Sequence, residues 1–226
     1  MTLIKSISGI RGTIGGKPGD NLTPEDIIKF TAAFGHWIMG RGNNAKIVIG
    51  RDARPSGKMV SSLVSNTLQA LGMNVIDLGL STTPTVEIAV TSENAGGGII
   101  ITASHNPVEW NALKLLNEQG EFISAYDGNE ILAIAKDIHY EYATVEKLGS
   151  VEMKNGYIEK HIKKILDLDL VNAAAIGARK YRIVVDGINS TGSIAIPKLL
   201  IALGVHDVVL LNGETNGHFN HNPEPL

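Results

Sequence analysis

Three short runs of apolar, β-forming residues, 46–50 (KIVIG), 74–78 (NVIDL) and 98–102 (GIIIT), alternate with stretches of helical periodicity. This alternation restricts the fold more than any other feature of the chain. Thr23-Pro24-Glu25-Asp26 opens the first helical stretch. Thr can cap, Pro suits the first helical position, and two acids complement the helix dipole. Ile27, Ile28, Ala32, Phe34, Trp37 and Ile38 follow at helical spacing until Gly40 and Gly42. Residues 58–71 read as a second helix ended by Gly72, and 84–92 as a third. Strand, helix, strand, helix, strand is the order of an α/β layer structure.

After Pro107 the pattern changes. Residues 113–116 and 121–123 flank Asn117-Glu118-Gln119-Gly120 and read as a hairpin. Residues 129–138 and 157–168 read as helices, and the polar, aperiodic stretch 145–155 between them reads as a boundary. The expected division is therefore 1–150 and 151–226. The second unit holds a strand at 182–186, a loop at 187–192, a helix at 194–203 and a strand at 207–211. It echoes the first: Ile47-Val-Ile-Gly50 corresponds to Ile183-Val-Val-Asp186, and Ala70-Leu-Gly72 to Ala202-Leu-Gly204. A chance likeness of two βαβ units is the alternative. One such unit and a polar tail over 212–226 do not close a sheet, so the expectation is a piece of a longer protein.

Composition removes several function classes. The 226 residues are 43% hydrophobic, enough for a substantial core. Twenty basic residues stand against 23 acidic ones, for a net charge of −3, so no basic excess points to nucleic acid. There are no cysteines, which excludes disulfides and thiolate metal sites. MTLIKSISGIRG lacks the apolar core of a signal peptide, and no apolar run approaches a membrane span. A cytoplasmic protein with no membrane partner is expected.

The third apolar run ends abruptly in Ser104-His105-Asn106-Pro107. Ligands of open α/β sheets gather beyond the carboxyl ends of strands, so a serine there reads either as a site or as an ordinary turn. Three loops carry cations beside glycine or strand ends: Arg11 in Ser8-Gly-Ile-Arg-Gly12, Arg51 in Gly50-Arg-Asp-Ala-Arg-Pro-Ser-Gly57, and Lys114 after Asn111-Ala-Leu113. Forked donors, a point charge and free N–H groups suit a phosphate, although each cation alone also reads as a solvated surface charge. His218 and His221 have a spacing that could hold a metal, but their Asn-rich surroundings read equally as a polar tail. Nucleotide-loop, nucleophile-elbow and zinc-protease motifs are absent.

Taken in order, SGIRG at 8–12, GRD at 50–52, TASHNP at 102–107, DGIN at 186–189 and NPEPL at 222–226 resemble the α-D-phosphohexomutases. That family includes phosphoglucomutase, phosphomannomutase and phosphoglucosamine mutase. The resemblance implies a three-layer α/β/α domain with a mixed, mostly parallel sheet, followed by an incomplete second copy of a similar unit. It implies that Ser104 is a phosphoserine which donates its phosphoryl group to a hexose phosphate, forms a hexose 1,6-bisphosphate, and takes back the other phosphoryl. Arg11, His105 and Lys114 would surround the transferred group, Arg51 would bind phosphate, and Mg²⁺ would be held in part by a Ser104 phosphate oxygen. The family's DGDxDR metal loop is not in this sequence, and in the family it follows the NPEPL region together with the sugar-recognition and distal-phosphate domains. The 226 residues alone are therefore expected to lack mutase turnover. Asn-Ala-Leu-Lys after SHNP inclines the substrate toward glucosamine phosphate, with glucose or mannose phosphate as the alternative. A non-catalytic sugar-phosphate-binding module is the competing class, and a serine hydrolase is disfavoured by the missing elbow and acid–base pair.

Overall fold

A computed structural model of the protein describes residues 1–6, 9–137 and 140–224. Ser8, Ile138, Pro225 and Leu226, which enter the expectations above, lie outside the described residues. The three apolar runs are the strands β3 (Lys46–Arg51), β4 (Asn74–Leu80) and β5 (Gly97–Ile101). With β1 (Ile4–Ser6), β2 (Gly9–Thr13), β6 (Trp110–Leu116) and β7 (Val151–Met153) they form one sheet in the order β1-β2-β6-β5-β3-β4-β7. The β5-β3-β4-β7 side is parallel, and the β1-β2-β6-β5 side antiparallel.

The runs are continuous because both faces are covered. On one face, Ile47, Ile49, Ile99, Ile101, Leu113 and Leu115 pack against α1 (Pro24–Gly40), α2 (Gly57–Ala70) and α4 (Ala125–Lys136). On the other, Val48, Ile76, Ile100 and Leu116 pack against Val86, Ala89 and Val90 of α3 (Thr83–Ser92) and against Tyr157. This is the expected three-layer α/β/α arrangement. Thr23 caps α1 through a capping box with Asp26, and Ser124 caps α4 in the same way with Asp127.

The second unit contains α5 (Tyr157–Leu166), α6 (Ala173–Ala178), β8 (Arg182–Asp186), α7 (Gly192–Ala202) and β9 (Asp207–Leu211). Strands β8 and β9 pair in parallel, so four of the seven strand pairings among the described residues are parallel. The echo between units is physical. Gly72 and Gly204 follow their helices at φ +81° and +84°. Met73 N–H bonds Leu68 C=O as Val205 N–H bonds Leu200 C=O, so both helices end in the same left-handed glycine cap.

The structure differs from the sequence reading at two places. The hairpin after Lys114 is a long β6 followed by a turn, its return limited to a single bridge between Leu116 and Phe122. The stretch 145–155, which reads as an aperiodic boundary, contains a 3-10 turn (Val145–Lys147) and β7, which pairs with β4. The first sheet thus takes a strand from beyond residue 150. Lys154 and the Tyr157 hydroxyl both bind the Glu93 carboxylate at the end of α3, which fastens the start of the second unit to the first. No helix among the described residues is long and apolar enough to cross a membrane.

Candidate active site

Strand β5 ends at Ile101 on the carboxyl edge of the parallel strands, and the chain leaves it through Thr102, Ala103 and Ser104. Ser104 is exposed and has φ +55°, a left-handed conformation that a residue with a Cβ adopts only when its surroundings hold it there. Those surroundings are specific. Ser104 N–H donates to Thr102 Oγ1 at 3.1 Å, and that hydroxyl donates to Asp52 Oδ2 at 2.6 Å. Asn106 N–H closes back on Ala103 C=O at 3.0 Å. Arg54, from the loop after β3, is 1% exposed, ion-pairs with Asp52 at 3.1 Å and donates to backbone carbonyls of the serine loop.

Strand register brings two cations to this serine. Lys114 on β6 lies opposite Ile100 of β5, and its Nζ donates to Ser104 Oγ at 2.9 Å. Arg11 on β2 lies opposite Ala112, two residues before Lys114, so both side chains stand on one face of the sheet. Arg11, Ser104, His105, Lys114 and Gly9 line a cavity of about 200 Å³. Arg11 Nε is buried there without a hydrogen-bond partner. Burial, and then the neighbouring Arg11, push the Lys114 ammonium below the ordinary lysine value, against the opposing pull of Asp52 and Glu87. Two cations, one hydroxyl and an unpaired donor suit a phosphoryl group better than a neutral ligand.

A second cavity, of about 340 Å³, lies on the other side of Ser104 and His105. It is shared with the loop after β8, from Asp186 to Gly192, and with Phe219. His105 Nε2 lies 3.4 Å from Glu224 Oε2. The two carboxylates lining this cavity are both engaged. Asp52 holds Arg54 and Thr102, and Asp186 accepts from Asn212, from Ile188 N–H and from His221. The Asn212 and Ile188 hydrogen bonds come first in holding Asp186 below the usual carboxylate value. No group of three or more acidic or histidine side chains able to hold a metal occurs among the described residues.

The structure therefore brings Arg11, Ser104, His105 and Lys114 together, but not Arg51. The Arg51 guanidinium donates to Asp52 C=O at 3.0 Å, packs against Gly57 and lines neither cavity. These contacts turn the side chain toward its own loop and away from the cavity at Ser104. His218 and His221 do not converge as ligands: His221 pairs with Asp186, and the His218 carbonyl accepts from Asn189. Sequence reasoning missed Asp52 and Arg54. Their signal was the alternation of opposite charges in the loop directly after β3.

Residues 3–141 match the family model described as phosphoglucomutase/phosphomannomutase, alpha/beta/alpha domain I. The chain is 37% identical over 221 residues to a phosphoglucomutase/phosphomannomutase of Thermococcus kodakarensis, a match covering 95% of this chain and 47% of that protein. It is 31% identical to a phosphoglucosamine/phosphogalactosamine mutase of Sulfurisphaera tokodaii, covering 96% of this chain and 46% of that protein. A solved structure of a phosphoglucomutase/phosphomannomutase family protein from Burkholderia thailandensis shares the fold, with a TM-score of 0.78 at 24% identity, over 98% of this chain and 47% of that one. The chain spans about half the length of the curated relatives it matches.

Proposed function

Because this chain belongs to the phosphoglucomutase/phosphomannomutase family, the α-D-phosphohexomutases, we propose that Ser104 is its phosphoryl carrier. The whole protein then moves a phosphoryl group between O6 and O1 of a hexose phosphate through a bound 1,6-bisphosphate. The observation that carries this reading is the 2.9 Å contact of Lys114 Nζ with Ser104 Oγ, in a cavity shared with the unpartnered Nε of Arg11. In the forward half, a sugar hydroxyl oxygen forms a bond to phosphorus as the Ser104 Oγ–P bond breaks. His105 accepts the hydroxyl proton, and the charge left on Oγ is met by the Lys114 ammonium. Arg11 spreads its forked donors over the transferring oxygens. After the bisphosphate turns round, the same groups run the step in reverse.

Mg²⁺ belongs to this proposal for the whole enzyme, where it would add positive charge at the phosphoryl group. A Ser104 phosphate oxygen is the ligand this chain offers. The carboxylates lining the cavity are committed elsewhere, so the described residues do not complete a metal shell. We take residues 1–150 as the phosphoserine domain and 151–226 as the opening of a second, with β7 and Tyr157 docked back onto the first sheet.

Glucosamine phosphate is the proposed substrate, on the Asn111-Ala-Leu-Lys114 form of the cationic loop and the name carried by the S. tokodaii relative. The alternative, glucose or mannose phosphate, is supported by the name of the T. kodakarensis relative. Coupled assays of the whole polypeptide on the three sugar 1-phosphates decide. The proposal expects the highest kcat/KM on glucosamine 1-phosphate and complete loss in Ser104→Ala. Retained turnover in Ser104→Ala overturns the mechanism, and a preference for glucose or mannose overturns the substrate.

A further inference from the structure

We infer that Arg54 is the positioning residue that holds the Ser104 turn in its left-handed form, and that Phe219, from the tail of the second unit, caps Arg54, so that docking of this tail sets the geometry of the phosphoryl-carrying serine. Only the catalytic consequence rests on the proposed function; the mechanical coupling does not.

All five N–H donors of Arg54 are used. Nε donates to Asp52 Oδ2 at 3.1 Å, Nη1 to the carbonyls of Pro107 and Trp110, and Nη2 to those of Ser104 and Asn106, at 2.9 and 2.7 Å. Four carbonyls from one seven-residue stretch thus converge on one buried guanidinium. Asp52 fixes the same loop from the other side, through the Thr102 hydroxyl that receives Ser104 N–H. A lysine offers three donors from a point, and cannot reproduce this planar fan. The left-handed backbone at Ser104 is what the fan stabilises, and Oγ is thereby turned toward Lys114.

The guanidinium is capped on one face from the far end of the chain. Arg54 Cζ lies 5.1 Å from the centre of the Phe219 ring. The tail is seated tightly beside it. A Cβ built on Gly217 would lie 2.0 Å from Ala53 C=O, so the tail backbone runs against the backbone next to Arg54. Ala53 N–H points to Ser190 Oγ at 3.4 Å, and Asn189 ties this loop to the tail through His218 C=O and Gly217 N–H. Contacts therefore run without a gap from the second unit, through Phe219 and Arg54, to the Ser104 carbonyl. His105 and Glu224 add a second contact between tail and serine loop.

Hydrogen exchange on the chain itself tests the coupling, with Phe219→Ala, Phe219→Leu and Arg54→Lys beside the parent. Phe219→Ala is expected to speed exchange of the Ser104, Asn106 and Trp110 amides about fivefold, with Phe219→Leu between it and the parent, while α1 and the melting midpoint do not move. Arg54→Lys is expected to speed the same amides about a hundredfold and to give no rescue. Unchanged exchange at these amides in Phe219→Ala overturns the inference, and that variant removes only a half-buried tail side chain, so the fold survives it. A second arm follows uptake of label at Ser104 from a hexose 1,6-bisphosphate in the whole polypeptide carrying the same variants. Slower uptake in step with faster exchange supports the positioning role. Parent-rate uptake on a loosened loop refutes it. Loosening without uptake in any form, the parent included, leaves the coupling standing and removes the phosphoserine reading instead.

Discussion

Replacing Lys114 by methionine separates two effects that a destabilising mutation would merge. The ammonium stands 2.9 Å from Ser104 Oγ and shares its cavity with Arg11. Burial, then Arg11, place its folded pKa below the ordinary value of 10.5. The charged form is therefore penalised by folding at every pH below the folded pKa, and the penalty disappears as pH rises from the folded to the unfolded value. Methionine keeps an apolar stem of similar length and removes the charge. At neutral pH the variant should match or exceed the parent in stability. Partial exposure screens the charge, and the contact of Lys114 with the Phe122 ring is lost, so the gain stays within about 1 kcal/mol. Chemistry moves the other way. Loss of a preorganised donor at a leaving oxygen typically slows a reaction about 10²- to 10³-fold, or roughly 3–4 kcal/mol. Urea melts at neutral pH and near pH 10 read the first effect, and the rate of label uptake at Ser104 of the whole polypeptide from a hexose 1,6-bisphosphate reads the second. The stability advantage of the variant should shrink at the higher pH. Destabilisation by more than about 1 kcal/mol, or uptake at the parent rate, refutes the reasoning.

Two further outcomes follow. Gly9 has φ +117°, and a Cβ there would sit 2.1 Å from Leu113 C=O, so Gly9→Ala should push β2 off β6 and lower stability by about 2–4 kcal/mol in urea; a loss below about 0.5 kcal/mol contradicts this. His221 is raised above its ordinary 6.5 by its hydrogen bond to Asn222 C=O and by Asp186, so the tail contact is complete below pH 6.5 and weakens as pH climbs through the folded value. An NMR titration of His221 should give a midpoint above 6.5 that falls in Asp186→Asn, whereas a midpoint at or below 6.5 in the parent refutes the pairing.

The parts of the fold legible in the sequence were those whose residues answer to burial on two faces. Strands β3, β4 and β5 announce themselves because neighbouring residues such as Val48 and Ile49 enter opposite cores. Strand β2 did not, since Gly-Ile-Arg-Gly-Thr has little strand propensity and is held by pairing with β1 and β6 on either side. β7 is three exposed residues, and α6 a six-residue alanine-rich turn, too short for periodicity to register. The start of α4 was written in Ser124 and Asp127 as a capping box, but Gly128 obscured it.

The site divides the same way. Ser104 was legible from a strand that runs into a polar turn, and Lys114 and Arg11 from cations beside strand ends. Choosing between Arg51 and Arg54 was not. They lie three residues apart, at the end of β3 and in the loop after it, and only the folded chain shows that one guanidinium turns to the neighbouring loop backbone while the other gathers carbonyls from fifty or more residues away. A fully buried arginine is rare enough that composition and spacing argue against it.

Peptide mass spectrometry of the whole polypeptide after incubation with a hexose 1,6-bisphosphate tests the central claim most directly. The account predicts one phosphate, mapped to Ser104 and absent from Ser104→Ala. Phosphate on another residue, or none on Ser104, contradicts it.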